Sequence, residues 1–499
     1  MVAPAAAASL ALLALLQQPV PAPRSVADTG QGRPCEVAID TLPRVRQVTA
    51  GTATNYYGGG GVVAHCKGTG TRLKADSVAY FTGTAGEAGG GRFDMIGNVH
   101  IRDTSLALDA NFASYFLDNE RLEAHNQVVA VNRDNHSVLR GPNLTYYRAV
   151  QGVRDTLELF ASSRPTIEYR GTADSSEPYI IVADRVRFKG SDRTWGGGKV
   201  TIDRSDMAAR ADSMALDETQ GFGVLVGQPR MEGKDSSGGR AYTLVGTRIE
   251  LGLTHREINR VKALGAAQAS GADWTLTADT IHLGLEHRKL QQALAWGRSS
   301  RPHAVSKLQT FDADSLALDA PDQVLTELRG FGKAFSTSKR DSTALRRTAA
   351  RTPANAIHTA PRPPRDTVLT RWVEGPDFIA GDSLTAHWAQ EPDSSGKPKS
   401  QLRSIVARGA ARALTHLTDD KDSTAGPSLN YSRGTSIAIA LKNGKMDRVV
   451  AAGRADGLHL EPRPPLPDTT KRPPADSIRR TLPASKRPPA TSAPTTPRP

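Results

Sequence analysis

The chain has 499 residues, 38% of them hydrophobic and only 5% aromatic, with a formal net charge of +13. That length and so lean an apolar content exclude a single thick-cored globule and suit a repetitive body in which each unit buries a thin strip. Residues 337–370 hold seven Lys/Arg against two Asp and residues 461–499 hold eight against three acids, which is +10 of the +13 and argues against a nucleic-acid-binding fold, whose basic patch would sit on the patterned sequence.

The N-terminus reads MVAPAAAASLALLALLQQPVPAPRS. Ala5 to Leu16 is an apolar run of signal-peptide length, too short to span a bilayer, so residues 1–22 are predicted to be an export signal. The run lacks a preceding Lys or Arg, and the alternatives are a leader that stays attached or a misplaced start codon. Residues 23–70 read as an extension holding the only two cysteines, Cys35 and Cys66. In an exported chain an even pair predicts one disulfide, worth about 3–4 kcal/mol by loop closure. Two buried free thiols are the alternative.

From there the chain repeats itself. KADSVAY (74–80), VADRVRF (182–188), RADSMAL (210–216), TADTIHL (277–283), FDADSLALDA (311–320) and AGDSLTA (380–386) share one pattern. Its Asp falls at Asp76, Asp184, Asp212, Asp279, Asp314 and Asp382, with Asn111, Thr247 and Thr435 in the same slot of weaker copies. The steps 76–111, 212–247, 247–279 and 279–314 are 35, 35, 32 and 35 residues, the period of a repeat architecture. Apolar residues follow the slot at +2 and +4: Val78 and Tyr80, Val186 and Phe188, Met214 and Leu216, Ile281 and Leu283, Leu316 and Leu318. Period two means a strand with one buried face.

Between these copies lies a second strand that opens on Gly: IGNVHI (96–101), GGKVTI (197–202), VGQPRM (226–231), RGFGKAF (329–335) and ARGAARAL (407–414). Val99 with Ile101, and Val200 with Ile202, alternate in the same way. Each repeat is thus predicted to be a pair of short strands, one opened by Ala-Asp and one by Gly. The Asp, replaceable by Asn or Thr, is expected to accept N–H groups of the turn before its strand. LTHREINRVKAL (253–264) reads either as a short helix or as strand, turn, strand. Residues 337–370 and 461–499 are rich in Pro, Ser, Thr and Ala without hydrophobic period and are predicted to be a disordered basic linker and tail. Such tails suit anionic surfaces.

Strands that alternate an Ala-Asp opening with Gly-Asn/Lys-Val resemble the OstA-like repeat of LptA-type periplasmic lipopolysaccharide-transport proteins, and of the N-terminal periplasmic domain of the outer-membrane lipopolysaccharide assembly protein. Residues 73–131 carry the resemblance best. It extends over 71–336, taken as one repeat domain, and over 371–460, taken as further repeats. The resemblance implies an all-β fold of stacked antiparallel strands forming an open jelly-roll, V-shaped in section. It implies a non-enzymatic lipid-binding bridge at the outer membrane of a Gram-negative-type periplasm, with lipopolysaccharide or a related glycolipid as cargo. Other transport proteins, or further copies of the chain, would join by edge-strand pairing. The +2 and +4 residues named above, with Val99, Ile101, Val200 and Ile202, would then face acyl chains. No run of transmembrane strands follows the repeats.

Other chemistry finds no footing in the sequence. GGGKVT lacks the spacing of a phosphate loop, and no His-Glu-x-x-His, paired metal-binding cysteines or Gly-x-Ser-x-Gly occurs. No cofactor or metal is expected, and His282 and His287 read as strand-surface residues. A parallel β-helix, either a carbohydrate-active enzyme or an adhesin, and a non-catalytic envelope scaffold remain the alternative readings.

Overall fold

A computed structural model describes residues 35–51, 53–82, 91–170, 177–234, 239–271, 274–338, 375–392, 398–417, 427–442 and 445–461. The predicted leader, and all but the margins of the predicted linker and tail, lie outside these residues. The described chain is almost entirely antiparallel strand, and once two strands separated only by a bend are counted as one, each pairs with its neighbours in chain order.

The unit is longer than the sequence suggests. What reads as the opening of a strand is the middle of a bent one. Residues 193–204 run as one strand, yet their register to 207–217 slips between Gly197 and Val200. Gly198 and Lys199 occupy that slip with φ of +80° and +45°, an extra left-handed pair that turns the strand sharply. The same bulge recurs at Gly97–Asn98, Asn126–Gln127, Gly265–Ala266, Gly332–Lys333 and Gly409–Ala410. In eight places the bend splits a strand in two, so the thirty strands, less eight, make twenty-two folded strands among the described residues.

Folding every strand at its middle turns one meander into two facing leaves joined along a crease. The first leaf holds 44–50, 53–59, 77–81, 92–96 and so on; the second holds 37–41, 62–66, 72–75 and 99–102. The free ends of the leaves form a mouth opposite the crease. One continuous apolar core fills the space between them.

The Ala-Asp motif is the crease. Its Ala is the last inward residue before the bend: Ala75, Ala183, Ala211, Ala278 and Ala313 are all buried. The leaves converge there, so only a small side chain fits. Two and four residues beyond the slot, where the leaves diverge, the inward side chains enlarge to Met214 and Leu216 or Ile281 and Leu283. The slot residue points outward against the bulge of the next folded strand, not toward a preceding turn as the sequence suggested. Backbone N–H groups of Asp184, Asp212 and Asp314 donate to the carbonyls of Gly198, Gly227 and Gly332 at 2.8, 3.2 and 3.1 Å. A Cβ on Gly198 would collide with the Asp184 carboxylate. Asp279 accepts the N–H groups of Arg298 and Ser299 at 2.7 Å and of Ser300 at 3.0 Å. The Ser299 N–H, with those of Ser300 and Arg298, holds its carboxyl below the ordinary carboxylate range. Thr247 and Thr435 fill the slot by donating Oγ1 to the carbonyls of Leu264 and Ala452.

One expectation changes and two open points are decided. The repeat does not start at 71: residues 37–66 already form folded strands of the same sheet, and the Cys35–Cys66 disulfide ties the first of them to the second. Residues 371–460 are not set apart, because 327–338 pairs directly with 378–392 across the linker. Residues 253–264 are strand, turn, strand: Glu257 pairs with Thr254 around a left-handed His255–Arg256 turn. Period-two apolar spacing at Val261 and Ala263 wins there, because an inward face already exists on the neighbouring strand, and a one-residue slip at Asn259 keeps Ile258 buried as well.

Candidate functional site

All fourteen residues singled out as groove-facing point between the leaves. Val78, Val99, Ile101, Val186, Val200, Ile202, Met214, Leu216, Ile281, Leu283, Leu316 and Leu318 are buried, and Tyr80 and Phe188 are half-buried against the same core. They do not line an open groove along the sheet. Between residues 240 and 330 the leaves meet and their side chains fill the interior, so Leu244, Ile249, Leu276 and Ile281 have no exposed surface.

The interior reaches solvent at a cleft in the mouth. Its apolar depth comes from both leaves: Leu106, Leu139 and Ile167 from the second, Tyr146, Leu159 and Phe188 from the first. Most of these belong to the core itself, so the cleft is a lateral entrance to it. Its rim is polar and built from turns, chiefly residues 132–137 and 190–194.

Polar clasps join the leaves on either side of this entrance. On one side, the Glu120 carboxylate is buried and accepts the Cys35 N–H at 2.7 Å and the Tyr115 hydroxyl, with Arg148 at 3.7 Å. Glu120 lies at the lip of the first leaf and Cys35 at the lip of the second, so the disulfide anchors one half of the clasp. On the other side, Arg204 of the second leaf reaches across to Glu257 of the first at 2.6 Å while chelating Asp206 at 2.5 and 2.9 Å. Its guanidinium lies 3.9 Å over the Tyr179 ring, and the Tyr179 hydroxyl donates to Glu257 at 3.2 Å. Arg256 repeats the arrangement over Tyr169 at 4.2 Å, with Glu218 at 2.6 Å. Both phenols are buried, and burial pushes their ionisation far above the usual tyrosine range.

Burial also pushes the Glu218 carboxyl above its ordinary range, outweighing the Arg256 guanidinium beside it. A carboxyl whose folded pKa exceeds its unfolded one adds stability at low pH that is lost as pH rises through the folded value. Glu218→Gln removes that penalty. Its melting temperature at pH 7 is expected to match or exceed the parent's, with the gap narrowing toward about pH 4. A melting temperature several degrees lower would show the Arg256 ion pair dominating instead.

A second concavity lies on the outside of the first leaf. Arg187 sits 5.3 and 5.4 Å from the rings of Phe160 and Trp195, beside Val224 and Val226. The sequence reading missed the clasps and this saddle. The one sequence signal for the clasps is charge at tight turns, Arg204–Asp206 and Arg256–Glu257; nothing local says which turns meet. His282 lies on the outer face as expected, where burial, with Arg260 and Lys262, lowers its pKa. No family model and no curated protein matches the chain.

Proposed function

We propose that the chain is a non-catalytic lipid-binding protein of the bacterial envelope, a periplasmic carrier or bridge in outer-membrane assembly. It shields acyl chains of lipopolysaccharide or a related glycolipid between its leaves. The observation that carries this reading is the clasped entrance: apolar depth continuous with the core, a polar rim, and no strand pairing across it. Each acyl methylene moved from water into such an interior gains about 0.8 kcal/mol. The repeat resemblance points the same way. The leaves are hinged at a crease of small residues, so parting them at the mouth admits a chain without breaking the ladder.

The reading is tested by placing a photo-reactive residue in turn at Phe188 and Leu139 in the cleft and at Arg187 on the outer face. Lipid adducts are expected at the first two positions and not at the third. Absence of adduct at all three would reject the carrier reading. The filled interior at Leu244, Leu276 and Ile281 would then favour an envelope scaffold whose apolar faces are core alone.

A further inference from the structure

We propose that the cleft selects a lipid whose headgroup is uncharged and rich in hydroxyls over one whose headgroup bears phosphate. The inference rests on the carrier reading and narrows its cargo to the related glycolipid, because the lipid A of lipopolysaccharide bears phosphate. A site for a phosphorylated headgroup needs an available cation or a cluster of free N–H donors. This rim offers neither. Its one guanidinium, Arg256, is 9% exposed and is already committed to Glu218 at 2.6 Å and to the Tyr169 hydroxyl at 3.2 Å. Of the flanking cations, which do not line the cleft, Arg193 lies 3.3 Å from Asp217, and the exposed Arg133 donates to the Asp103 carbonyl at 2.9 Å. Asp134 is exposed at the rim and would repel a phosphate.

What the rim does offer is neutral. Ser105, Ser191 and Thr194 bring hydroxyls, and Asn132 and Asn135 bring carboxamides. The two carboxamide oxygens are taken by turn N–H groups of Asp134, Asn135 and Ser137 at 2.8–3.3 Å, which fixes the turn and leaves the N–H₂ ends as the donors these side chains can offer a ligand. The Ser137 Oγ is buried at the cleft and has no hydrogen-bond partner. A buried hydroxyl without a partner is costly, and a ligand hydroxyl would satisfy it. Hydroxyls, carboxamides and a carboxylate together match the donors and acceptors of a sugar or glycerol head.

The test uses the full chain and three lipids with the same acyl chains: a glycosyl diacylglycerol, a phosphatidylglycerol and a phosphatidic acid. The soluble sugar headgroup serves as a competitor. The glycosyl lipid is expected to bind at least about tenfold more tightly than either phosphate-bearing lipid. Ser137→Ala should weaken it about three- to tenfold and Asp134→Lys should narrow the preference. Competition by the free sugar at matching concentration would mean a saccharide site and no lipid selection, overturning the proposal. Equal or tighter binding of the phosphate-bearing lipids would overturn it while leaving the carrier reading intact. Binding of none of the three would defeat the carrier reading itself.

Discussion

Leu316→Asp is expected to prevent the sheet from folding, while its neighbour Ala317→Asp leaves folding intact. Leu316 is 2% exposed and stands between Ala295 and Gly330 in the ladder. Gly330 has no side chain, and a Cβ there would meet the Leu316 Cδ2 at 3.3 Å, so the leucine fills the space that the glycine leaves. A carboxylate at this point has no partner and no water. It costs roughly 4–5 kcal/mol or neutralises at a similar cost, a large part of a domain's net stability. Val200, 1% exposed, is expected to behave as Leu316 does. Ala317 points outward between Leu294 and Arg329. An Asp there sits opposite a guanidinium already 2.6 Å from Asp319, so its effect should stay within about 0.5 kcal/mol. Far-ultraviolet circular dichroism and thermal unfolding of the two variants decide the matter. Similar melting curves for both would refute the division into inward and outward faces, and the reverse order would mean that the faces are exchanged.

The contrast between these two neighbours was legible before any coordinates, because side-chain direction in a strand depends only on parity. The bend was not. A sequence shows that Asp212 recurs as Asp279 and Asp314, but not that each meets a glycine bulge on the strand that follows. That partnership is between strands, and Asp184, Asp212, Asp314, Thr247 and Thr435 share one bond in it, the slot's backbone N–H to the glycine carbonyl. It also accounts for the 73 residues between Asn111 and Asp184, about two periods with one copy unmarked. Pro142 lies opposite the left-handed Ser163–Arg164 pair on the strand that follows and precedes inward Leu144 and Tyr146 at +2 and +4. A proline has no N–H for that bond, so the copy kept its place in the ladder and lost its signature letter. The start of the sheet at Val37 was hidden likewise, because Pro43 sits where an Asp would be expected, facing Gly60. The mouth was least legible of all. Arg204 and Glu257 are 53 residues apart and meet because two leaves close, which no local pattern encodes.

Arg204→Ala is expected to cost about 3–5 kcal/mol and to loosen the mouth without dissolving the crease. The Arg204 side chain is 2% exposed and serves Asp206, Glu257 and the Tyr179 ring at once. Its removal strands Asp206 and leaves Glu257, beside the buried Tyr179 phenol, with only the half-exposed Arg288 at 3.4 Å. Lysine is expected to rescue little, because one ammonium cannot chelate Asp206, reach Glu257 and stack on a ring together. The damage should be local, since the bulges and Ala residues of the crease lie at the opposite end of each folded strand. Backbone amide exchange is therefore expected to accelerate around 203–207 and 254–258 and to stay slow around Ala211 and Ala263. Glu257→Gln added to Arg204→Ala should recover part of the lost stability, because one of the stranded charges is gone. If the double variant were no more stable than Arg204→Ala alone, the charges would not be coupled and packing of Tyr169 and Tyr179 would hold the mouth. Coupling with fast exchange confined to the lips would instead make this ion cluster the latch of the entrance, and the single variant should then take up lipid faster than the parent.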